Sequence, residues 1–231
     1  MWSLLERHGA ARFPGARGRI PNFVGAEASA EKLATLQEWE GARVLKANPD
    51  APQLPVRARA LSEGKRLYMA VPRLRDRRPF VLLDPKRLAV PPRAAASISG
   101  GMRAGRPVSI GRMAPVDLVV CGSVAVNRAG ARVGKGGGYS DLEFGLLAGA
   151  GLVDGHTVVA TTVHPLQVLD EDLPETGHDF RVDLIVTPDE VLRPRRSSGR
   201  RPSGILWDEL DADMIEAIPA LAAVAPKRRG R

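Results

Sequence analysis

Hydrophobic and polar positions in this 231-residue chain switch repeatedly between a helical and an extended period, and the switches lay out the elements. Residues 2–8, Trp-Ser-Leu-Leu-Glu-Arg-His, read as the end of a short helix, and 14–23, broken by Gly15, Gly18 and Pro21, as an extended loop. Residues 26–40 carry Leu33, Leu36 and Trp39 at three-residue steps, which predicts one helix ended by Gly41. Residues 43–47 read as a strand, Asn48-Pro-Asp-Ala-Pro as a turn, and 56–63 as a helix closed by Gly64. Strands are expected over 67–71 and 80–83, separated by the basic run Pro72–Arg78. Residues 85–107, rich in Pro, Ala and Gly, predict a surface excursion or loose helix.

The densest apolar, β-branched run is Val116–Val126, expected to be a single buried central strand. It turns through 127–130 into a loop in which Gly134, Gly136, Gly137 and Gly138 surround Lys135. Ser140-Asp-Leu-Glu143 has the spacing of a capping box, with Ser140 as N-cap of a helix running to Ala150. Gly145 and Gly149 weaken that helix, so close packing against the sheet is expected to hold it. Then come a strand over 157–163, a polar stretch 164–179, a strand over 182–187, a basic unpatterned linker 193–203, and a terminal helix over 207–224. Alternating strands and helices predict an α/β fold in three layers, α/β/α, with a mostly parallel sheet. Residues 1–224 are expected to form one domain, with 225–231 as a basic tail.

Composition narrows the picture. Hydrophobic residues are 44% and aromatics only 4%, so the core is mostly aliphatic. The single cysteine, Cys121, excludes an internal disulfide and, inside the expected strand, reads as a small buried hydrophobe rather than a nucleophile. No run reaches the roughly 18 apolar residues of a membrane span and no signal peptide opens the chain, which predicts a cytoplasmic, monomeric protein away from membranes. The formal charge of +8 invites nucleic acid as a partner. The basic clusters at 73–78, 193–201 and 227–231 lack the interleaved aromatics of a stacking surface, so nucleic acid stands second to a small ligand.

That ligand is suggested by the glycine loop. Glycines let backbone N–H groups approach a phosphate, and the following helix start adds partial positive charge. The loop fits neither named pattern: Gly136 stands where a P-loop needs Ser or Thr, and Tyr139 where a dinucleotide fingerprint needs glycine. A phosphate cradle of its own kind and a plain glycine turn with an incidental lysine both satisfy the spacing. Ligands of open α/β sheets bind beyond the carboxyl ends of strands. Three polar clusters fall there, and Lys135, Arg75 and Asp179 are the candidates for one shared pocket.

The run Gly122-Ser-Val-Ala-Val-Asn-Arg-Ala-Gly-Ala-Arg-Val-Gly-Lys-Gly-Gly-Gly-Tyr-Ser-Asp141 resembles the G-x-R-x-G-x-G-x-G-Y-Y-D signature of 5-formyltetrahydrofolate cyclo-ligases. Gln167-Val-Leu-Asp170, His178-Asp179 and Val182-Asp-Leu-Ile-Val-Thr-Pro188 resemble the family's ending. Arg19-Ile-Pro-Asn-Phe23, Asn48-Pro-Asp50 and Pro72-Arg-Leu-Arg75 resemble, within it, the methenyltetrahydrofolate synthase domain-containing branch. The resemblance implies the cyclo-ligase fold, which has the layout of sugar-phosphate isomerases and CoA transferases. It also implies an ATP- and Mg²⁺-dependent closure of 5-formyltetrahydrofolate to 5,10-methenyltetrahydrofolate.

On that resemblance Gly134, Lys135, Gly136, Gly137 and Gly138 would cradle phosphates, Lys135 and Arg132 offset charge, and Tyr139 contact folate or nucleotide. Arg75 and Asp50 would join the binding site, Asp50 near the family's acidic folate position, and Asp141 and Asp179 would hold Mg²⁺. Each acid has a plainer role open to it, Asp141 as a favoured helix first-turn acid and Asp179 as a turn cap. His164 is either a ligand contact or a satisfied polar residue at a strand end. Three departures bear on catalysis. Ser140 replaces the second tyrosine, Val126-Asn127 replaces Phe-Asp, and the chain opens at Met1-Trp2, where the family's Lys/Arg-rich first helix would be half over, leaving Arg7 and Arg12. A non-catalytic relative that binds folate or nucleotide, or associates with RNA, is the alternative.

Overall fold

The computed structural model describes residues 1–195 and 201–226; the centre of the predicted linker and the last five residues of the predicted tail lie outside them. In chain order the strands are β1 Val44–Ala47, β2 Arg66–Ala70, β3 Phe80–Leu83, β4 Arg106–Val108, β5 Leu118–Cys121, β6 Ala125–Asn127, β7 Arg132–Val133, β8 Val158–Thr162, β9 Val168–Leu169, β10 Leu184–Val186 and β11 Val191–Leu192. The α-helices are α1 Trp2–Arg7, α2 Ala26–Ala34, α3 Gln37–Gly41, α4 Leu54–Ser62, α5 Pro92–Ala96, α6 Ile98–Ala104, α7 Tyr139–Gly149, α8 Ala212–Ala217 and α9 Pro219–Ala222.

Eight strands form one mixed sheet in the order β11-β10-β8-β5-β1-β2-β3-β4. The middle run from β10 to β2 is parallel, and β11, β3 and β4 are added antiparallel at the two sides. Side chains alternate between two cores, as strand geometry requires. Leu45, Leu67, Leu118 and Val120 pack with α2, α3, α4 and α5 residues such as Leu33, Trp39 and Val56. Val44, Tyr68, Val119 and Cys121 pack on the opposite face with Phe144 and Leu147 of α7 and Leu221 of α9. The sheet therefore has the three expected layers, and Cys121 is a buried hydrophobe with no exposed surface.

Four predicted elements come out differently. The 26–40 helix breaks at Thr35–Leu36: Thr35 Oγ1 donates back to the Lys32 carbonyl (2.8 Å), and Leu36 is extended. The run 116–126 is two strands, not one. β5 stops at Cys121, and β6 leaves for a small second sheet in the order β7-β6-β9. Gly122 marks the break: a Cβ there would sit 2.7 Å from Ile20 Cγ2 and 3.0 Å from Gln53 Oε1. The terminal helix is likewise divided, because Asp211 starts α8 by accepting from Met214 N–H and extended Ile218 precedes Pro219 of α9. Within 85–107 the helical alternative holds, with two short helices, and β4 adds a strand at the sheet edge where an excursion was the other expectation.

The glycines of α7 are also explained otherwise. A Cβ on Gly145 would lie 2.8 Å from Ile205 Cδ1 and 3.2 Å from the Gly204 carbonyl oxygen. The C-terminal segment, not the sheet, is what comes close to these glycines, while Phe144 and Leu147 pack the helix on the sheet as expected. Arg201 anchors that segment by pairing with Asp183 and donating to the Thr157 carbonyl.

Candidate functional site

Parallel strands aim their carboxyl ends at one edge, and the polar residues follow there. β1 runs out into Asn48-Pro49-Asp50, β2 into Pro72-Arg73 and β5 into Gly122; with the glycine loop and the first turn of α7 they line a cleft of about 550 Å³. That is within the range of small-molecule sites.

The β6–β7 hairpin delivers the loop. Gly136 (φ +91°) and Gly138 (φ +62°) are left-handed, and a Cβ on either would meet nothing, so backbone conformation and not crowding calls for glycine. Gly138 is the N-cap of α7, which begins at Tyr139. Ser140 is therefore not the cap. Its hydroxyl accepts from Asn48 Nδ2 at 3.3 Å, and Glu143, instead of reaching back to close a capping box, pairs with Lys46. The left-handed Gly138 ends the loop two residues earlier than the Ser-x-x-Glu spacing implies.

Three acid–base pairs surround the cleft. Lys135 is half exposed at the rim, its Nζ 3.4 Å from Asp50 Oδ1. Arg132 on β7 is buried, pairs with Asp141, and lies with Cζ 4.1 Å from the Phe180 ring centroid; its Nε has no protein partner. Lys46, on the central strand between Tyr68 and Val119, meets Glu143 at 2.5 Å with side-chain exposures of 1% and 5%, and also donates to Asn48 Oδ1 at 2.8 Å. Burial pushes the Glu143 carboxyl up from the ordinary glutamate range against the pull of Lys46. Burial also raises Asp141; Arg132 opposes it, and the charge of Asp179 adds to it. Beneath the cleft Arg57 donates to the carbonyls of Asn48, Asp50 (3.0 Å) and Ala96 (2.8 Å), which fastens the turn after β1; burial lowers its pKa to about 10.

Of the predicted site residues, Gly134, Lys135, Gly137, Gly138, Tyr139, Arg132, Asp141 and Asp50 line the cleft. Gly136 lies between them in the loop and shapes its backbone. Arg75 is not on the wall; Arg73 is, presented by consecutive left-handed residues Arg73 (φ 58°) and Leu74 (φ 51°), with Leu74 wholly buried as the anchor. Asp179 is not on the wall either: its Oδ2 accepts from Thr176 N–H (2.6 Å) and Oγ1 (2.9 Å), the turn-capping role. His164 caps the turn after β8, Nδ1 accepting from Leu166 N–H at 3.2 Å, and packs edge-on to Phe23. Sequence reasoning missed Lys46, Glu143, Asn48, Arg57 and Arg73. The available signal was a lysine inside Val44-Leu-Lys-Ala47, where a half-buried strand has no place for a charge without a distant partner.

The sequence pattern described as the 5-formyltetrahydrofolate cyclo-ligase family matches residues 2–188, which takes in every wall residue named above. The chain belongs to the 5-formyltetrahydrofolate cyclo-ligase family. Among curated relatives, the mouse methenyltetrahydrofolate synthase domain-containing protein is 40% identical over 227 residues, covering 96% of this chain and 60% of the mouse protein. The human protein of the same name is 35% identical, covering 99% of this chain and 60% of its own length. The cyclo-ligase-family chain thus spans about 60% of the relatives it matches. The fold is that of a solved Aquifex aeolicus 5,10-methenyltetrahydrofolate synthetase, at TM-score 0.51 and 23% identity over 77% of this chain and 84% of that one.

Proposed function

We propose that this cyclo-ligase-family protein binds ATP, Mg²⁺ and 5-formyltetrahydrofolate in the cleft and converts the folate to 5,10-methenyltetrahydrofolate. The observation that carries the proposal is the glycine loop's open backbone, capped by α7 and flanked by Lys135, Arg132 and Arg73 on one cleft.

The residues fit the implied groups. Loop positions with free space and left-handed backbone leave N–H groups accessible to phosphate oxygens, and the unpartnered Arg132 Nε is a donor awaiting an acceptor. For Mg²⁺, Asp141 is the carboxylate on the cleft wall, while Asp179, off the wall and capping the Thr176 turn, adds only its charge nearby. Among the described residues no group of three or more Asp, Glu, His or Cys is gathered. That suits an ion held by one or two carboxylates and substrate phosphates rather than by a protein cage.

ATP with Mg²⁺ would supply the phosphoryl group that makes the formyl oxygen a leaving group. The chain's work is positioning and charge neutralisation. Gly134–Gly138 and Lys135 would hold phosphates, Arg132 would keep Asp141 aimed, and Tyr139 would flank the folate. Arg57, through the turn after β1, holds the opposite wall in place.

Incubation of the protein with 5-formyltetrahydrofolate, ATP and Mg²⁺ should produce the methenyl absorbance band, dependent on all three and lost in Lys135→Ala. No band from a protein that still binds both ligands would make it a folate- and nucleotide-binding relative without turnover.

A further inference from the structure

Of the three acid–base pairs around the cleft, Lys46–Glu143 is the one that phosphate binding leaves unused. Lys46 and Glu143 are almost wholly buried, yet Glu143 is part of the cleft wall. A buried ion pair is a poor source of stability, because desolvating two charges offsets most of their attraction, and apolar side chains of similar volume do as well. Lys46 is tied to Glu143 Oε2 and to Asn48, which in turn reaches Ser140. That chain of contacts fixes the Glu143 carboxylate in one orientation, while its Oε1 has no partner among the described residues. Asp50 and Asp141, the other two acids on the wall, are engaged by Lys135 and Arg132.

We infer that Glu143, oriented by Lys46, accepts a hydrogen bond from the N10–H group of the bound folate and so aims the N10 lone pair at the formyl carbon. The assignment rests on the phosphate-site placement proposed above. In ring closure the formyl oxygen takes the γ-phosphoryl group of ATP with release of ADP. N10 bonds to the carbon bearing that oxygen and gives up its proton to solvent, and the carbon–oxygen bond breaks as phosphate leaves, so N10 cannot lie far from the phosphates. With phosphates at Gly138, the N-cap of α7, N10 meets the wall within the first two turns of that helix, where Glu143 stands five residues on, about 7.5 Å along the axis. Asp141, in the first turn, is engaged by Arg132, so Glu143 is the wall acid of this helix left to meet N10. Holding a lone pair on its line of attack is the kind of orientation from which intramolecular reactions gain most.

The test is calorimetric titration in the absence of ATP with two probes: 5-formyltetrahydrofolate and its 10-deaza analogue, in which CH₂ replaces N10–H. Wild type should favour the natural ligand by about 10-fold or more, as expected for a hydrogen bond to a charged acceptor. The double variant Lys46→Met/Glu143→Leu leaves no orphaned charge; it should bind the analogue as wild type does and discriminate by less than about 3-fold. Glu143→Gln is the second variant, with discrimination reduced but not abolished. Equal affinity of wild type for the two probes, or undiminished discrimination in the folded double variant or in Glu143→Gln, overturns the role of Glu143 and leaves the folate site standing. A wild type that binds neither probe overturns the folate site as well.

Discussion

Lys46 Nζ lies 2.5 Å from Glu143 Oε2 across 97 residues of sequence, joining the central strand of the sheet to the helix that follows the glycine loop. The pair couples the position of α7 to β1, and burial makes the two charges interdependent. Removing one alone, as in Glu143→Ala or Lys46→Ala, leaves an uncompensated buried charge and should cost about 3–5 kcal/mol. Removing both in Lys46→Met/Glu143→Leu should change stability far less than the sum of the singles. Denaturant unfolding of the three variants and wild type forms the double-mutant cycle; additive losses would refute the coupling.

Lys135 should behave in the opposite way. Its pair with Asp50 is exposed at the rim, so Lys135→Ala should alter stability by less than about 1 kcal/mol. Its effect should fall on ATP, weakening binding about 10-fold or more through loss of a charged donor. An affinity for ATP equal to wild type would remove Lys135 from the phosphate site.

The loop glycines divide by backbone conformation. Gly138→Ala places a side chain at φ +62° and should cost roughly 1–2 kcal/mol even though its Cβ would meet nothing. Gly134 has no such φ, and a Cβ there would touch only Arg132 Nη1 at 3.9 Å, so Gly134→Ala should be close to neutral. Equal losses of melting temperature in the two variants would contradict the left-handed cap.

His164 makes stability depend on pH in a predictable direction. Burial holds its pKa below the ordinary 6.5, opposed by Asp189, and its Nδ1 is an acceptor for Leu166 N–H, which only the neutral ring can be. The folded pKa is depressed, so the unfolded chain takes up the proton first. This contribution is complete above the ordinary value and lost as pH falls through the folded value. His164→Asn keeps a capping acceptor without titrating in that window. Thermal melts from about pH 7 to about pH 5 should show a smaller fall for His164→Asn than for wild type; parallel curves would exclude the linkage.

Local patterns were legible wherever their cause is local. Turn residues, helix periods and β-branched runs place most elements within a few residues, and the Gly134–Asp141 run with Tyr139 marks both the cleft and the family. The Ser-x-x-Glu spacing points to Ser140 as the cap but is silent about which residue turns left-handed, and Gly138 does so first. The 116–126 run looked continuous because β5 and β6 are equally apolar; only Ile20 and Gln53, folded against Gly122, show where the chain leaves the sheet. Arg75 was a near miss: the two left-handed residues at 73 and 74 turn Arg73 and not Arg75 to the cleft, a backbone choice set by burying Leu74.

By itself, then, the sequence determined an α/β order of elements, an aliphatic core, a glycine loop built around one lysine, and membership of a folate cyclo-ligase family, since each is written in neighbouring residues. Tertiary structure alone decided which charges meet. Lys46 with Glu143, Arg57 with the turn after β1, and Arg132 with Asp141 under Phe180 are brought together by strand order and helix packing. Sequence periodicity reports that a position is buried; it carries no record of the distant group that makes burying a charge tolerable there.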